Sequence, residues 1–255
     1  MTRFGGLVAL SALSAAAALL PCASGAQQTG GATAGATRPS MASKVVLIPR
    51  GGYINYATNT AIKGAPMIGL DVRYNLGRFF AVSPSLTVSQ PKTDGAYFPA
   101  ALYQGDTTQL FAVTQPVTML DAALTGVGHL GDLGRLSPYA IAGVGVYTLY
   151  LDPQVNNGDR RLSHMSYSVG GGLNFRLTNR TGLVLDARDL ILTNFDRDRM
   201  NPVHGNAVAT RFLDAFPKAR SQGGATSMHN VVLSLGFTFT PTGAGVTGEG
   251  ENEDR

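Results

Sequence analysis

The stretch MIGLDVRYNLGRFFAVSPSLTV (Met67–Val88) alternates apolar and polar side chains on both sides of a short break. An extended chain points successive side chains to opposite faces. Ile68, Leu70, Val72 and Tyr74 therefore share one face, and Gly69, Asp71, Arg73 and Asn75 share the other. Past Leu76–Arg78 the pattern resumes, with Phe80, Val82, Leu86 and Val88 opposing Ser83, Ser85, Thr87 and Ser89. This predicts two strands joined by a tight turn, each with an apolar and a polar face. Which face lies inside decides the fold.

Working outward, the same periodicity predicts about six further strands, near 44–56, 110–127, 137–151, 166–177, 182–192 and 229–240. Pro116 interrupts the first half of the second of these. The last is the most regular: Val231, Leu233, Leu235, Phe237 and Phe239 oppose Val232, Ser234, Gly236, Thr238 and Thr240. The seven connections run roughly 10, 3, 20, 9, 14, 4 and 36 residues, on boundaries good to a few residues. Mostly, short ones follow even-numbered strands and long ones follow odd-numbered strands. An antiparallel up-and-down sheet with that rhythm puts its tight turns at one end and its long loops at the other, as membrane-spanning barrels do.

Three features place the polar face inside. That face is rich in Gly and Ser, which suits a crowded interior. Its charges nearly balance, Arg50, Arg73, Arg176 and Arg188 against Asp71, Asp121 and Asp186. Buried charges cost several kcal/mol unless paired, so such a set is expected as an internal ion-pair network. Finally, most strands reach the roughly 9–11 residues a tilted strand needs to cross a bilayer. The fold class expected is all-β: a closed antiparallel up-and-down transmembrane β-barrel of eight strands over residues 44–240. Ile68, Leu70, Val72, Tyr74, Leu233, Leu235 and Phe237 are then the lipid-facing set. Eight strands leave an interior only wide enough to be filled by side chains.

The flanks differ from this body. Arg3, the apolar run Leu7–Leu20 and the small residues Ser24-Gly25-Ala26 have the order of a secretory signal peptide, residues 1–26, cleaved after Ala26. Cys22 is the sole cysteine. Pro21 before it is unlike a lipidation site, so Cys22 is expected to leave with the signal. Residues 27–43 read as a flexible leader and 241–255 as a disordered acidic tail. Only 14% of the chain is charged, and its 20 Lys and Arg are dispersed among 16 Asp and Glu. Without basic runs, nucleic acid is not an expected partner.

The segments PYAIAGVGVY (Pro138–Tyr147), YSVGGGLNFRL, LVLDARDL and VVLSLGFTF resemble the opacity-type, OmpA-like family of eight-stranded outer-membrane barrels. The resemblance covers about residues 44–240. It implies insertion into a Gram-negative outer membrane by the barrel-assembly machinery, with roles in envelope integrity, adhesion or minor permeability. It also implies that Phe239, the closing aromatic of the last strand, serves as the insertion signal; the short acidic tail after it departs from the family pattern. No catalytic residues come with it.

Other chemistry is weaker. The glycine strings GVGVY and GGGLNF lack the helix a phosphate loop needs. None of His129, His164, His204 and His229 shows metal-ligand spacing, so no metal or cofactor is expected. Asp189, Asp196, Asp198, His204 and His229 would form an enzymatic site only if they met at the rim, and no catalytic residue is assigned. The long loop 193–228, with a short helix near Ala207–Phe216, offers Arg197, Arg199 and Arg211 to lipopolysaccharide or another surface partner. Loop 90–109 is the second such candidate. The leading reading is a non-enzymatic outer-membrane barrel with a structural or surface role; a small gated pore and a secreted soluble ligand-binding barrel remain open.

Overall fold

The computed structural model describes residues 45–104, 107–151, 160–200 and 213–241. The expected signal peptide and leader, nearly all of the expected acidic tail and most of the expected Ala207–Phe216 helix lie outside them. Among the described residues ten strands form: β1 (Val45–Asn55), β2 (Ala65–Asn75), β3 (Phe80–Ser89), β4 (Pro99–Gln104), β5 (Thr107–Ala112), β6 (Val117–His129), β7 (Leu136–Leu151), β8 (Arg161–Arg176), β9 (Thr181–Phe195) and β10 (Thr226–Phe239). Eight close into a barrel in the order β1-β10-β9-β8-β7-β6-β3-β2, every neighbouring pair antiparallel. Closure comes from β1 against β10, with Leu47 opposite Phe239 and Asn55 opposite Val231. No barrel strand is left with an open edge, which hydrocarbon would not tolerate.

β4 and β5 stand apart as a hairpin between β3 and β6. The sequence places a strand within 110–127, its first half interrupted by Pro116; in the structure the barrel strand is β6, and the residues before Pro116 end the hairpin strand β5. Pro116 has no N–H to give a ladder, so β5 ends before it and β6 starts after it. The intervening chain is tied back by Gln115 N–H to Thr93 Oγ1 at 2.9 Å and Val117 N–H to the Pro91 carbonyl at 3.0 Å. His164, expected in a loop, lies inside β8 opposite Tyr147.

Barrel connections 76–79, 130–135 and 177–180 are tight turns at one end, and the strand ends that bound the longer connections 56–64, 90–116, 152–160 and 196–225 lie at the other. Facing follows the pleat. Ile68 and Leu70 are 69% and 45% exposed on the outside, while Asp71 and Arg73 are 4% and 5% exposed within. Leu233 and Leu235 point out, and Ser234 between them is buried.

The interior is layered rather than uniformly polar. Towards the long loops it is apolar: Ile54, Met67, Met119, Tyr147, Leu149, Leu190, Leu192 and Val232 pack together with Ala61, Ile62, Phe98 and Met200 from the loops. Towards the short turns a smaller apolar set, Ile48, Ala81, Val127, Tyr139, Ile141 and Val184, packs across the barrel. Charged side chains occupy the level between. Crowding there explains the glycines: a Cβ at Gly170 would collide with the Ala187 carbonyl, and one at Gly172 with the Leu185 carbonyl and the Tyr139 hydroxyl.

Candidate functional site

Alternation along β1, β2 and β9 sends Arg50, Asp71, Asp186 and Arg188 inward at one level. Asp71 is the hub. Its Oδ1 accepts from Arg50 Nε at 3.0 Å and its Oδ2 from Arg188 Nη2 at 3.0 Å. Arg50 Nη2 also donates to Thr87 Oγ1 at 2.7 Å. Arg188 forms a second, two-point ion pair with Asp186, whose Oδ2 also accepts from Tyr139 Oη at 2.9 Å. Two arginines therefore alternate with two aspartates across the barrel, each carboxylate satisfied by at least two donors.

The remaining expected members are placed differently. Arg73 meets the cluster through Tyr139, its guanidinium 5.0 Å from that ring's centre, and its buried Nε has no acceptor among the described residues. Asp121 takes a 2.5 Å bond from Ser166 Oγ and no arginine pairs with it among the described residues. Arg176 is not brought to the cluster at all: it ends β8, and its Nη2 bonds the Gly134 carbonyl at 3.1 Å in a neighbouring turn. Thr87, Tyr139 and Ser166 were not singled out by the sequence, because their part depends on cross-barrel stagger.

On the outer face Ile68, Leu70, Tyr74, Leu233, Leu235, Phe237 and Phe239 are exposed, and Val72 is half-buried. Higher on that face, towards the long loops, His229 Nδ1 and Asp189 Oδ2 lie 2.7 Å apart. That pair joins two of the rim candidates side chain to side chain. Asp196 instead accepts from Asp198 N–H, and Asp198 from Gln222 N–H and Ser221 Oγ, bonds that fold their own loop. No hydroxyl bonds His229 among the described residues, and His204 lies outside them. Nor do three metal-ligating side chains cluster among the described residues.

Arg197, expected to meet a surface partner, is buried. It donates to the Arg220 carbonyl at 2.6 Å and stacks 5.0 Å over Tyr97. Lys218 approaches the same ring at 5.8 Å, so Tyr97 clasps the loop after β3 to the loop after β9. Arg199 is exposed, and Arg211 lies outside the described residues.

A closed eight-stranded antiparallel barrel with a greasy outer face and ionic groups within is a membrane-spanning barrel; a soluble one would carry the reverse facing. The sequence comparison makes this specific. Residues 6–239 match the family model described as the outer membrane protein beta-barrel domain, and the chain belongs to that family. No curated protein matches the sequence. Among solved structures, Neisserial surface protein A is similar at 8% identity and TM-score 0.47, over 77% of this chain and 96% of that one. The N-terminal barrel of Pseudomonas aeruginosa OprF gives 16%, 0.35, 77% and 98%. Ail of Yersinia pestis, in complex with the heparin analogue sucrose octasulfate, gives 13%, 0.39, 76% and 97%.

Proposed function

We propose that this outer-membrane barrel is a non-enzymatic, non-conducting envelope protein, with a structural role and a surface role carried by its long loops. One observation supports the closed reading above all. The Arg50–Asp71–Arg188–Asp186 cluster sits between two apolar layers of the interior, and the layer towards the loops includes Phe98 and Met200 from the loops themselves. A permeant ion would have to break buried ion pairs and cross apolar packing on both sides.

In this reading the N-terminal signal directs export and is cleaved after Ala26, the barrel-assembly machinery inserts the chain, and the short turns face the periplasm. Loops 90–109 and 193–228 then meet lipopolysaccharide or a partner outside. Exposed Arg199, Lys218 and Arg220 are the side chains offered there, since Arg197 is used in packing.

Pure protein in a planar bilayer tests this. Silence at moderate voltage is expected, and discrete single-channel steps would overturn the closed interior in favour of the gated pore. Mass measurement of the mature N-terminus tests the cleavage site independently.

A further inference from the structure

The tight turns share a repeated pairing that the barrel itself does not use. Turn 76–79 exposes Leu76 and Phe79 beside Arg78, turn 130–135 exposes Leu130 and Leu133 beside Arg135, and turn 177–180 exposes Leu177 beside Arg180. Leu76, Leu130 and Leu133 are 67%, 70% and 73% exposed. Turn tips in water favour Gly, Asn, Asp and Ser. Large apolar groups repeated at every such tip make a patch, which marks a contact surface.

Their exposure is set by closed, hydrogen-bonded turns. Leu76 N–H bonds the Phe80 carbonyl at 3.0 Å, Leu130 N–H the Pro138 carbonyl at 2.9 Å, and Leu177 N–H the Thr181 carbonyl at 3.0 Å. At the strand ends on the same rim Phe80, Leu136, Phe175 and Phe239 are exposed as well, on the outer belt. Arg78, Arg135 and Arg180 are also exposed, and no carboxylate pairs with them among the described residues. Asp132, the acid in these turns, is taken by Ser137 Oγ at 2.5 Å.

We propose that the short-turn rim is an anchor for anionic glycerophospholipid: the leucines and Phe79 enter the acyl region of the nearby leaflet, and Arg78, Arg135 and Arg180 bind lipid phosphates. The charge and the grease need opposite surroundings a few ångströms apart, which is what a leaflet boundary supplies. Arginine suits it because its aliphatic stem lies along apolar surface while the guanidinium reaches the headgroup. The tips are then submerged in the interface instead of projecting into the periplasm. This rests on the membrane reading above, and the test separates the two.

The chain contains no tryptophan, so one introduced indole is a unique reporter. Leu133→Trp and, as a mid-belt control, Leu235→Trp are refolded into phosphatidylcholine vesicles holding a small fraction of brominated phosphatidylglycerol or of brominated phosphatidylcholine. Both indoles should be quenched. At Leu133→Trp the anionic lipid should quench several-fold more, in line with a preference of roughly fivefold per basic side chain at a membrane surface. Adding Arg78→Gln, Arg135→Gln and Arg180→Gln should bring the two lipids to parity without altering heat-modifiable gel migration. An unquenched Leu133→Trp beside a quenched Leu235→Trp, or an anionic preference that survives the triple substitution, overturns the anchor alone. Failure of Leu235→Trp to respond removes the membrane reading and the anchor with it.

Discussion

Replacing Asp71 by Asn keeps its size and removes the charge shared by two buried arginines. Its side chain is 6% exposed and bonds Arg50 and Arg188 at 3.0 Å each. Arg188 retains its two-point pair with Asp186, so it remains compensated. Arg50 does not: its surviving side-chain partner is the neutral Thr87 hydroxyl. The cost is therefore that of one stranded buried cation, about 3–5 kcal/mol. Urea unfolding of the barrel refolded in lipid vesicles, followed by the gel shift between folded and unfolded forms, reads this directly. Removing the cation as well, in Asp71→Asn with Arg50→Met, should recover most of the loss, because an apolar replacement of a buried pair is often neutral. A loss under about 1 kcal/mol for Asp71→Asn, or simple additivity in the double variant, would refute the assignment of Asp71 as the hub.

The outer face gives a second expectation: Leu233→Arg should lower stability by about 2–4 kcal/mol and block assembly, whereas Ser234→Ala, one residue on and turned inward, should assemble normally. Equal yields of folded protein would contradict the facing. Gly170→Ala should cost about 1–3 kcal/mol in the same urea assay, since its methyl meets the Ala187 backbone carbonyl and β8 and β9 must separate to admit it. Phe98→Ala, which hollows the apolar layer beneath the loops, should speed tryptic cleavage at Lys92 while leaving heat-modifiable migration unchanged; unchanged cleavage would mean that Phe98 does not hold the loop down.

The facing of β2 was legible from Asp71 and Arg73 because a strand's period is two and one misplaced register would send both charges into lipid. The turn-and-loop rhythm was legible too, from the alternation of short and long connections, and Gly134 takes the positive φ that its turn requires. Partner choice was not. Arg50 lies opposite Gly69, and Asp71 opposite Ile48, so their bond is diagonal and depends on stagger. Arg188 reaches Asp71 from 117 positions away along the chain. Arg176 has the same alternation phase as the interior charges, but its height on the strand puts it at the rim, and phase carries no information about height.

The apolar interior towards the loops had a signal of its own. In VYTLYL (Val146–Leu151) and DLILT (Asp189–Thr193) the residues on the inward phase are apolar, which those of a strand facing a polar lumen would not be. Tyr147, Leu149, Leu190 and Leu192 supply the inward half of those runs. The loop residues that complete the layer, Phe98 and Met200, carry no periodic signature and become visible only when the chain is folded.

Joining β1 to β10 makes the strand number even, and an even-numbered hoop has a topological result. The chain enters its first stave and leaves its last at the same rim, beside the tight turns, with Leu47 abutting Phe239. Whatever is spliced ahead of Val45 or behind Phe239 is thereby delivered to one compartment, and its own charge has no say in the matter.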